Sequence, residues 1–150
     1  MYISSVHAMS AKPQSEKIRP AVSYDPDSVP ALHPKTKAKA SASILEMIER
    51  DGLDACIIQP SGLVGPNDYD NTNMSQFFAE VCNEKLPVCV DAGYSFADIR
   101  DAASAILAAC KKGRCGQSYI VANKTISMME PARKASFYNR SRPVKNRLAP

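Results

Sequence analysis

Residues 53–60 read LDACIIQP, a short and almost wholly apolar run that ends in a proline, and the turn SGLVGP follows at residues 61–66. A strand with one face in solvent alternates apolar and polar residues. A strand of a parallel sheet is covered by helices on both faces and is apolar throughout. The run therefore predicts a buried parallel strand.

The segment before this strand predicts a strand, a long loop and a helix. The apolar stretch MYISSV at residues 1–6 is a short strand, and residues 8–34 form a loop because their five prolines leave no room for a helix. A helix then runs from Pro34, which suits a first turn, to Gly52, which suits a helix end. Together with the strand at 53–60, these elements predict that the sequence begins with a βαβ unit.

The segment after the strand continues the alternation. The predicted elements are helices at 74–85 and 96–113, strands at 86–92 and 117–123, and a weak helix at 127–135 that Pro131 interrupts. Strands that alternate with helices of this length are typical of an α/β fold with a parallel sheet. Because only about three strands are clear, we expect a partial sheet.

The composition favours a soluble, cytoplasmic protein. The 150 residues are 45% hydrophobic and 23% charged, which is ordinary for one globular domain. No apolar run is long enough to span a membrane, and the first residues do not resemble a signal peptide. The five cysteines are scattered without a C-x-x-C pair, so we expect reduced thiols and no metal site.

The positive charge is concentrated at the C-terminus. Residues 131–150 hold six Lys or Arg and no acid, which leaves −2 for residues 1–130 because the whole chain carries +4. We therefore divide the chain into a domain at 1–130 and a basic, disordered tail at 131–150. Phe137 and Tyr138 lie among the cations, which leaves nucleic-acid contact as a less favoured alternative.

Four motifs occur in a fixed order along the chain. They are YISS at 2–5, HPKTKAKA at 33–40, IIQPSGLVGPND at 57–68 and FADIRDAASAIL at 96–107. Their order and spacing resemble the C-terminal half of the extended short-chain dehydrogenases/reductases, the NAD-dependent epimerase/dehydratase and dihydroflavonol-reductase-like group. The resemblance implies a partial Rossmann-like parallel sheet flanked by helices, without the N-terminal dinucleotide-binding strands.

The resemblance also implies catalytic residues. Ser5 matches the serine that polarises the substrate carbonyl, and Lys37 matches the lysine that holds the nicotinamide ribose and favours a tyrosine phenolate. His33 stands where the family has that tyrosine. A phenol with its pKa near 10 needs such help to act at pH 7, whereas imidazole transfers protons but is shorter. His33 is thus either a replacement acid/base or, as we favour, the mark of a lost catalytic residue.

The cofactor implied by the resemblance is NAD or NADP. Lys37 and the turn residues Pro60, Ser61, Gly62 and Leu63 match positions at the nicotinamide end. The six glycines of the chain include no G-x-G-x-x-G, the loop that holds the pyrophosphate. We therefore expect weak cofactor binding by this chain alone.

Other candidates are weaker. Tyr24 has no lysine four residues later and is interpreted as a loop residue, and His7 as a packed or hydrogen-bonded histidine. Asp68, Tyr69 and Asp70 resemble a solvated turn. Asp98 and Asp101, which match the family's later motif, are expected to be mainly structural.

The resulting hypothesis is an NAD(P)-dependent oxidoreductase or epimerase that acts on a small-molecule carbonyl or hydroxyl substrate. With His33 in the tyrosine position and motifs of only the C-terminal half, the chain is expected to be weak or inactive alone. The alternative is a non-catalytic remnant or interaction module. Its partner would be a second copy or a complementing N-terminal half.

Overall fold

The computed structural model describes residues 1–10 and 16–147. Its helices are α1 (Leu32–Asp51), α2 (Asn73–Cys82), α3 (Ile99–Lys112) and α4 (Met129–Asn139). Its strands are β1 (Tyr2–Ile3), β2 (Ile57–Pro60), β3 (Gly62–Val64), β4 (Val88–Val90), β5 (Gly93–Asp98), β6 (Ser118–Val121), β7 (Lys124–Ser127) and β8 (Lys145–Arg147). None of the helices in these ranges is both long and apolar enough to cross a membrane.

The chain forms two compact units. The first unit holds Met1–Leu63 and Ala97–Ala122, and the second holds Val64–Phe96 and the residues from Asn123 onward. The units therefore alternate along the chain. Both units draw on residues of the range 1–130, which was predicted as part of one Rossmann-like domain.

A parallel sheet of order β1-β2-β6 lies at the centre of the first unit. Tyr2 pairs with Ile57, and Ile58 pairs with Tyr119. The central strand β2 is buried along its length, and Gln59 at its end is 0% exposed. The predicted α/β class and the predicted buried parallel strand are confirmed.

Helix α1 packs through small residues. Ala38 and Ser41, three apart, are both 0% exposed, and Ala38 contacts Ala8 and Val29 of the preceding loop. Residues at this spacing share a helix face, and small side chains let the backbones approach closely. Gly52 ends the helix in the left-handed conformation, at φ 69°.

Helix α3 is fixed at its N-terminal end. Asp98 caps its start, because its Oδ1 accepts from the Arg100 backbone N–H at 2.8 Å. The predicted start at residue 96 is early, since residues 96–98 belong to β5. Ala102 is 1% exposed, so the first turn of the helix is packed into the unit.

The second unit combines short strands with two packed helices. β5 and β7 pair antiparallel, with Gly93 opposite Ser127, and β4 and β8 pair parallel. Helices α2 and α4 share a small core formed by Val81, Ala132 and Val144.

The segment predicted as a disordered tail is ordered over its described part. Helix α4 continues to Asn139, and Ala132 is 0% and Val144 6% exposed. Pro131 does not interrupt the helix because it lies in the first turn, where no N–H bond is lost. Of the six cations in this segment, Arg133 and Lys134 occupy exposed positions of α4, and the other four follow the end of the helix.

Candidate active site

Lys37 lies against the end of β1. Its Nζ donates a hydrogen bond to the backbone oxygen of Ile3 at 3.2 Å and sits 5.8 Å from the centroid of the Tyr2 ring. Both contacts tie the second turn of α1 to the strand that precedes Ser5. The lysine is half-buried, so its remaining donors can reach a ligand at this edge of the sheet.

A buried hydroxyl pair reinforces this junction. Ser4 Oγ and Ser41 Oγ lie 2.7 Å apart, and Ser41 Oγ donates to the Lys37 backbone oxygen at 2.8 Å. A hydroxyl has a single hydrogen, so Ser4 must donate to Ser41. Ser4 is 4% and Ser41 0% exposed. The pair fixes the backbone on both sides of the candidate site.

Ser5 lies directly beyond the strand, half-buried, and starts the 3₁₀ turn Val6–Ala8. Its Oγ accepts from the His7 backbone N–H at 3.2 Å. The acceptor role leaves the Ser5 hydroxyl hydrogen available for a substrate oxygen. The neighbouring His7 is exposed.

His33 lies in the first turn of α1 and is exposed. Its backbone oxygen accepts from Thr36 Oγ1 at 2.8 Å. The four-residue spacing puts His33 and Lys37 on one face of the helix, one turn apart. The structure therefore brings Lys37 to the strand end and leaves His33 closer to solvent.

The predicted cofactor turn begins at the end of β2. Pro60 is buried and pairs with Val121, and the Ser61 N–H donates to the Val121 oxygen at 2.9 Å. Ser61 Oγ is buried without a hydrogen-bond partner among the described residues. Gly62 and Leu63 follow in β3, half-buried. Because β1 and β2 are parallel, Ser5 and this turn follow the same edge of the sheet.

Tyr24 is the residue that sequence reasoning missed. Its phenol oxygen lies 3.1 Å from Ser118 Oγ on β6, and its ring packs on the cluster that contains Ala38. Burial raises the pKa of the Tyr24 phenol, against the lowering effect of its hydrogen bond to Ser118. The partner is 94 residues away in sequence, so no local pattern could have revealed the contact.

The Asp68 turn has a structural role. Its Oδ2 accepts from both the N–H and the hydroxyl of Thr72, at 3.0 and 2.5 Å, just before α2. Hydrogen bonds from Ser75 and Thr72 lower the pKa of Asp68. Across the described ranges, no three His, Cys, Asp or Glu side chains come together as a metal site.

Comparison with known proteins identifies the family. A model of the NAD dependent epimerase/dehydratase family matches residues 1–122. The chain belongs to this family. The resemblance noted from the four motifs is thereby confirmed.

Individual members of the family match with low identity. A Synechocystis sp. protein provisionally named dihydroflavonol 4-reductase is 25% identical over 132 residues, covering 85% of this chain and 38% of that protein. A nucleoside-diphosphate-sugar epimerase structure from Pseudomonas aeruginosa has a TM-score of 0.84 at 21% identity, covering 97% of this chain and 48% of that one.

A dTDP-glucose 4,6-dehydratase structure from Bacillus anthracis, in complex with NAD, has a TM-score of 0.81 at 15% identity and covers 97% of this chain and 47% of that one. At these identities the structural matches show a shared Rossmann-like fold. The chain spans less than half the length of each of these three proteins.

Proposed function

We propose that this chain supplies the nicotinamide-binding end and the catalytic groups of an NAD(P)-dependent oxidoreductase or epimerase. The reaction is hydride transfer between the cofactor and a carbonyl or hydroxyl group of a small-molecule substrate. The observation that carries the proposal is the hydrogen bond from Lys37 to the strand that leads into Ser5. The turn at Ser61 follows the neighbouring parallel strand at the same end of the sheet. Family membership supports the cofactor class.

The residues at this edge suit the nicotinamide end of the cofactor. The Lys37 ammonium has three donors and uses one on Ile3, which leaves two for ribose hydroxyls. Ser61 Oγ is buried and has no partner in the part of the chain that the structure describes. Since buried hydroxyls normally have a partner, a carboxamide or ribose group would satisfy it. The bound nicotinamide would supply the hydride chemistry.

The chain's own groups would then handle the substrate oxygen. Ser5 Oγ already accepts from His7 N–H, so its hydrogen points to a donor role toward a carbonyl oxygen. His33, exposed at the start of α1, would exchange the proton with solvent. Because imidazole is shorter than a phenol and His33 lies one turn from Lys37, we propose weak turnover by this chain alone.

A second candidate function is a non-catalytic module that needs a partner. β1 is the outer strand of its sheet over the described residues, and Met1 and Ile3 on it are 45% and 42% exposed. An outer strand with apolar side chains is a template for pairing with another chain. The partner would be a second copy or a complementing N-terminal half.

The first test is a thermal melt of the purified chain with and without millimolar NADH or NADPH. A ligand that binds only the folded state raises Tm as its concentration exceeds Kd, so we expect an upward shift with one or both cofactors. Lys37→Gln should abolish the shift, while Lys111→Gln, which removes an exposed charge from α3, should keep it. Equal shifts in both variants would refute the nicotinamide site.

The second test restores the tyrosine. In His33→Tyr the phenol stands one helical turn before Lys37, whose ammonium favours the phenolate. We expect His33→Tyr to increase NAD(P)H-dependent carbonyl reduction in a panel of aldehydes and ketones, with His33→Phe as the control that adds a ring without a proton. A variant that binds cofactor but shows no gain over His33→Phe would favour the non-catalytic module.

A further inference from the structure

A segment of the loop between β1 and α1, residues 17–24, makes few contacts with the rest of the first unit. Within the part of the chain that the structure describes, its backbone forms no hydrogen bond to another backbone group. Ile18 and Val22 on it are 55% and 92% exposed. Segments with few buried contacts and a solvent-exposed backbone open locally at a lower free energy than the core does. We name residues 17–24 the strap.

The chain on either side of the strap is attached independently of it. Val29 is 6% exposed and packs with Ala8 and Ala38. The hydroxyl oxygens of Ser10 and Ser28 lie 2.6 Å apart, which ties the chain that precedes the strap to the chain that follows it. Neither contact requires a strap residue, so the strap can leave the sheet while both contacts stay formed.

Tyr24 is the main anchor of the strap. Its phenol oxygen lies 3.1 Å from Ser118 Oγ at the start of β6, and its ring packs on the cluster that contains Ala38. Within the described residues, a second polar contact runs from the Ala21 N–H to Gln59 Oε1 at 3.4 Å. That distance is long for a hydrogen bond, so the contact is weak. The Tyr24 side chain therefore supplies most of the interaction that keeps the strap on the sheet.

The strap covers the end of β2. Gln59, which Ala21 contacts, is 0% exposed, and its Nε2 has no hydrogen-bond partner among the described residues. Pro60 and Ser61, which begin the predicted cofactor turn, are also buried. A buried amide donor without a partner destabilises the closed strap, whereas water can bond to Gln59 once the strap is open. The contacts of Tyr24 and the amide of Gln59 therefore favour opposite states of the strap.

We propose that the strap opens and closes over the end of β2, that Tyr24 is its latch, and that a ligand reaches the turn at Gln59–Ser61 in the open state. The motion follows from the contacts of the strap alone, whereas its link to the cofactor rests on the proposed nicotinamide site. Opening breaks the contact between Tyr24 and Ser118 and leaves the pairing of β2 with β1 and β6 intact.

Amide hydrogen exchange of the full chain, measured by NMR, tests the motion. The Ala21 N–H reports on the strap, and the Ile57 N–H, bonded at 2.9 Å to the backbone next to β6, reports on the sheet. Tyr24→Phe should speed exchange at Ala21 by roughly two- to tenfold, the effect of losing one ordinary hydrogen bond, and leave Ile57 unchanged. Tyr69→Phe, which alters an exposed tyrosine of the second unit, should change neither rate. Equal acceleration at Ala21 and Ile57, or an unchanged rate at Ala21 in Tyr24→Phe, would refute the latch.

The same measurements with NADH test the access to the turn. A ligand that binds only a minor open state has its affinity reduced by the open fraction. Tyr24→Phe should therefore tighten NADH binding by about the factor that it adds to exchange at Ala21, and NADH should speed that exchange in the wild type. Weaker NADH binding in Tyr24→Phe, or slower exchange at Ala21 with NADH, would overturn access through the open strap. If NADH does not bind, the nicotinamide site fails, and the exchange rates without ligand still decide whether the strap moves.

Discussion

The buried hydroxyl pair between Ser4 and Ser41 offers a direct test of how the candidate site is held. Because Ser41 donates to the Lys37 oxygen, the only hydrogen left for the 2.7 Å contact is that of Ser4. The two deletions are therefore unequal. Ser41→Ala leaves a buried donor on Ser4 unpaired, whereas Ser4→Ala leaves Ser41 with its donor bond intact.

The magnitudes follow from this asymmetry. An unpaired buried donor costs about 1–3 kcal/mol, and replacing serine by alanine in a helix returns about 0.5 kcal/mol, so Ser41→Ala should lower the free energy of unfolding by about 0.5–2.5 kcal/mol. Ser4→Ala should lower it by about 0.5–1 kcal/mol, the net value of one ordinary hydrogen bond. The double variant leaves no unpaired donor and should be less destabilised than the sum, with a coupling of about 1 kcal/mol.

Urea unfolding followed by circular dichroism measures the free energy of unfolding of the wild type, the two single variants and the double variant. The dependence of that free energy on urea concentration is compared across the four proteins to verify that the unfolding transition stays the same. Ser43→Ala, two residues further along α1 and exposed, is the matched control for helix propensity. Strict additivity of the two deletions would show that the hydroxyls do not interact. A larger loss in Ser4→Ala than in Ser41→Ala would show that the donor assignment is reversed.

Three other changes probe the rest of the fold. Hydrogen bonds from Arg100 lower the pKa of Asp98 to about 2, so the stability that Asp98 contributes is present above pH 4 and is lost as the pH falls toward 2. In Asp98→Asn the free energy of unfolding should therefore depend less on pH over this range. Gly113→Ala places a methyl group against the backbone of the preceding helical turn and should destabilise by about 1–3 kcal/mol, measured by urea unfolding, and an unchanged midpoint would contradict the close approach. Val81→Ala should cost about 2 kcal/mol in the same assay, because Val81 is 1% exposed, while Val88→Ala, 40% exposed, should cost much less.

The sequence predicted the elements whose signal is local and long. The predicted helix at 34–52 corresponds to α1. Of the four predicted strands, those at 1–6, 53–60 and 117–123 contain β1, β2 and β6, and the one at 86–92 contains β4. Apolar runs and glycine or proline boundaries carry that information in consecutive residues. Parallel pairing followed from the continuous apolar run at 53–60 and from the alternation of strands with helices.

The second unit was harder to predict because its strands are short and its contacts join residues that are far apart in the sequence. β3, β7 and β8 have three or four residues each, too few for an alternating pattern to be recognised. The core that Ala132 and Val144 form with Val81 joins positions about fifty or more residues apart. A charge count assigned that segment to a tail, because composition does not record that its apolar residues share one face of α4.

The candidate site also combines residues that local motifs predict with contacts between residues that are far apart in the sequence. Ser5, His33 and Lys37 came from motif positions, but the contacts that hold them did not: Tyr24 meets Ser118, and Ser4 meets Ser41, across long stretches of chain. A hydrogen bond between distant serines leaves no trace in local periodicity. Motif matching therefore named the candidate residues, which stay a prediction, and only the fold could supply the contacts around them.

Lys37 and His33 give different information about whether the chain is an active enzyme. Lys37 bonds to the Ile3 oxygen and lies over the Tyr2 ring, so it stabilises the junction between α1 and β1 whether or not a cofactor binds. The contact with Ile3 therefore does not itself require a bound cofactor, and it is the two remaining Lys37 donors that support the nicotinamide site. His33 is exposed, and no hydrogen bond to its ring is formed within the described part of the chain. A substitution at position 33 changes little in the fold, so a difference in activity between His33→Tyr and His33→Phe reports on chemistry. Lys37→Gln also removes a contact that stabilises the fold. Its Tm without cofactor must therefore be compared with that of the wild type before its shift with cofactor is interpreted.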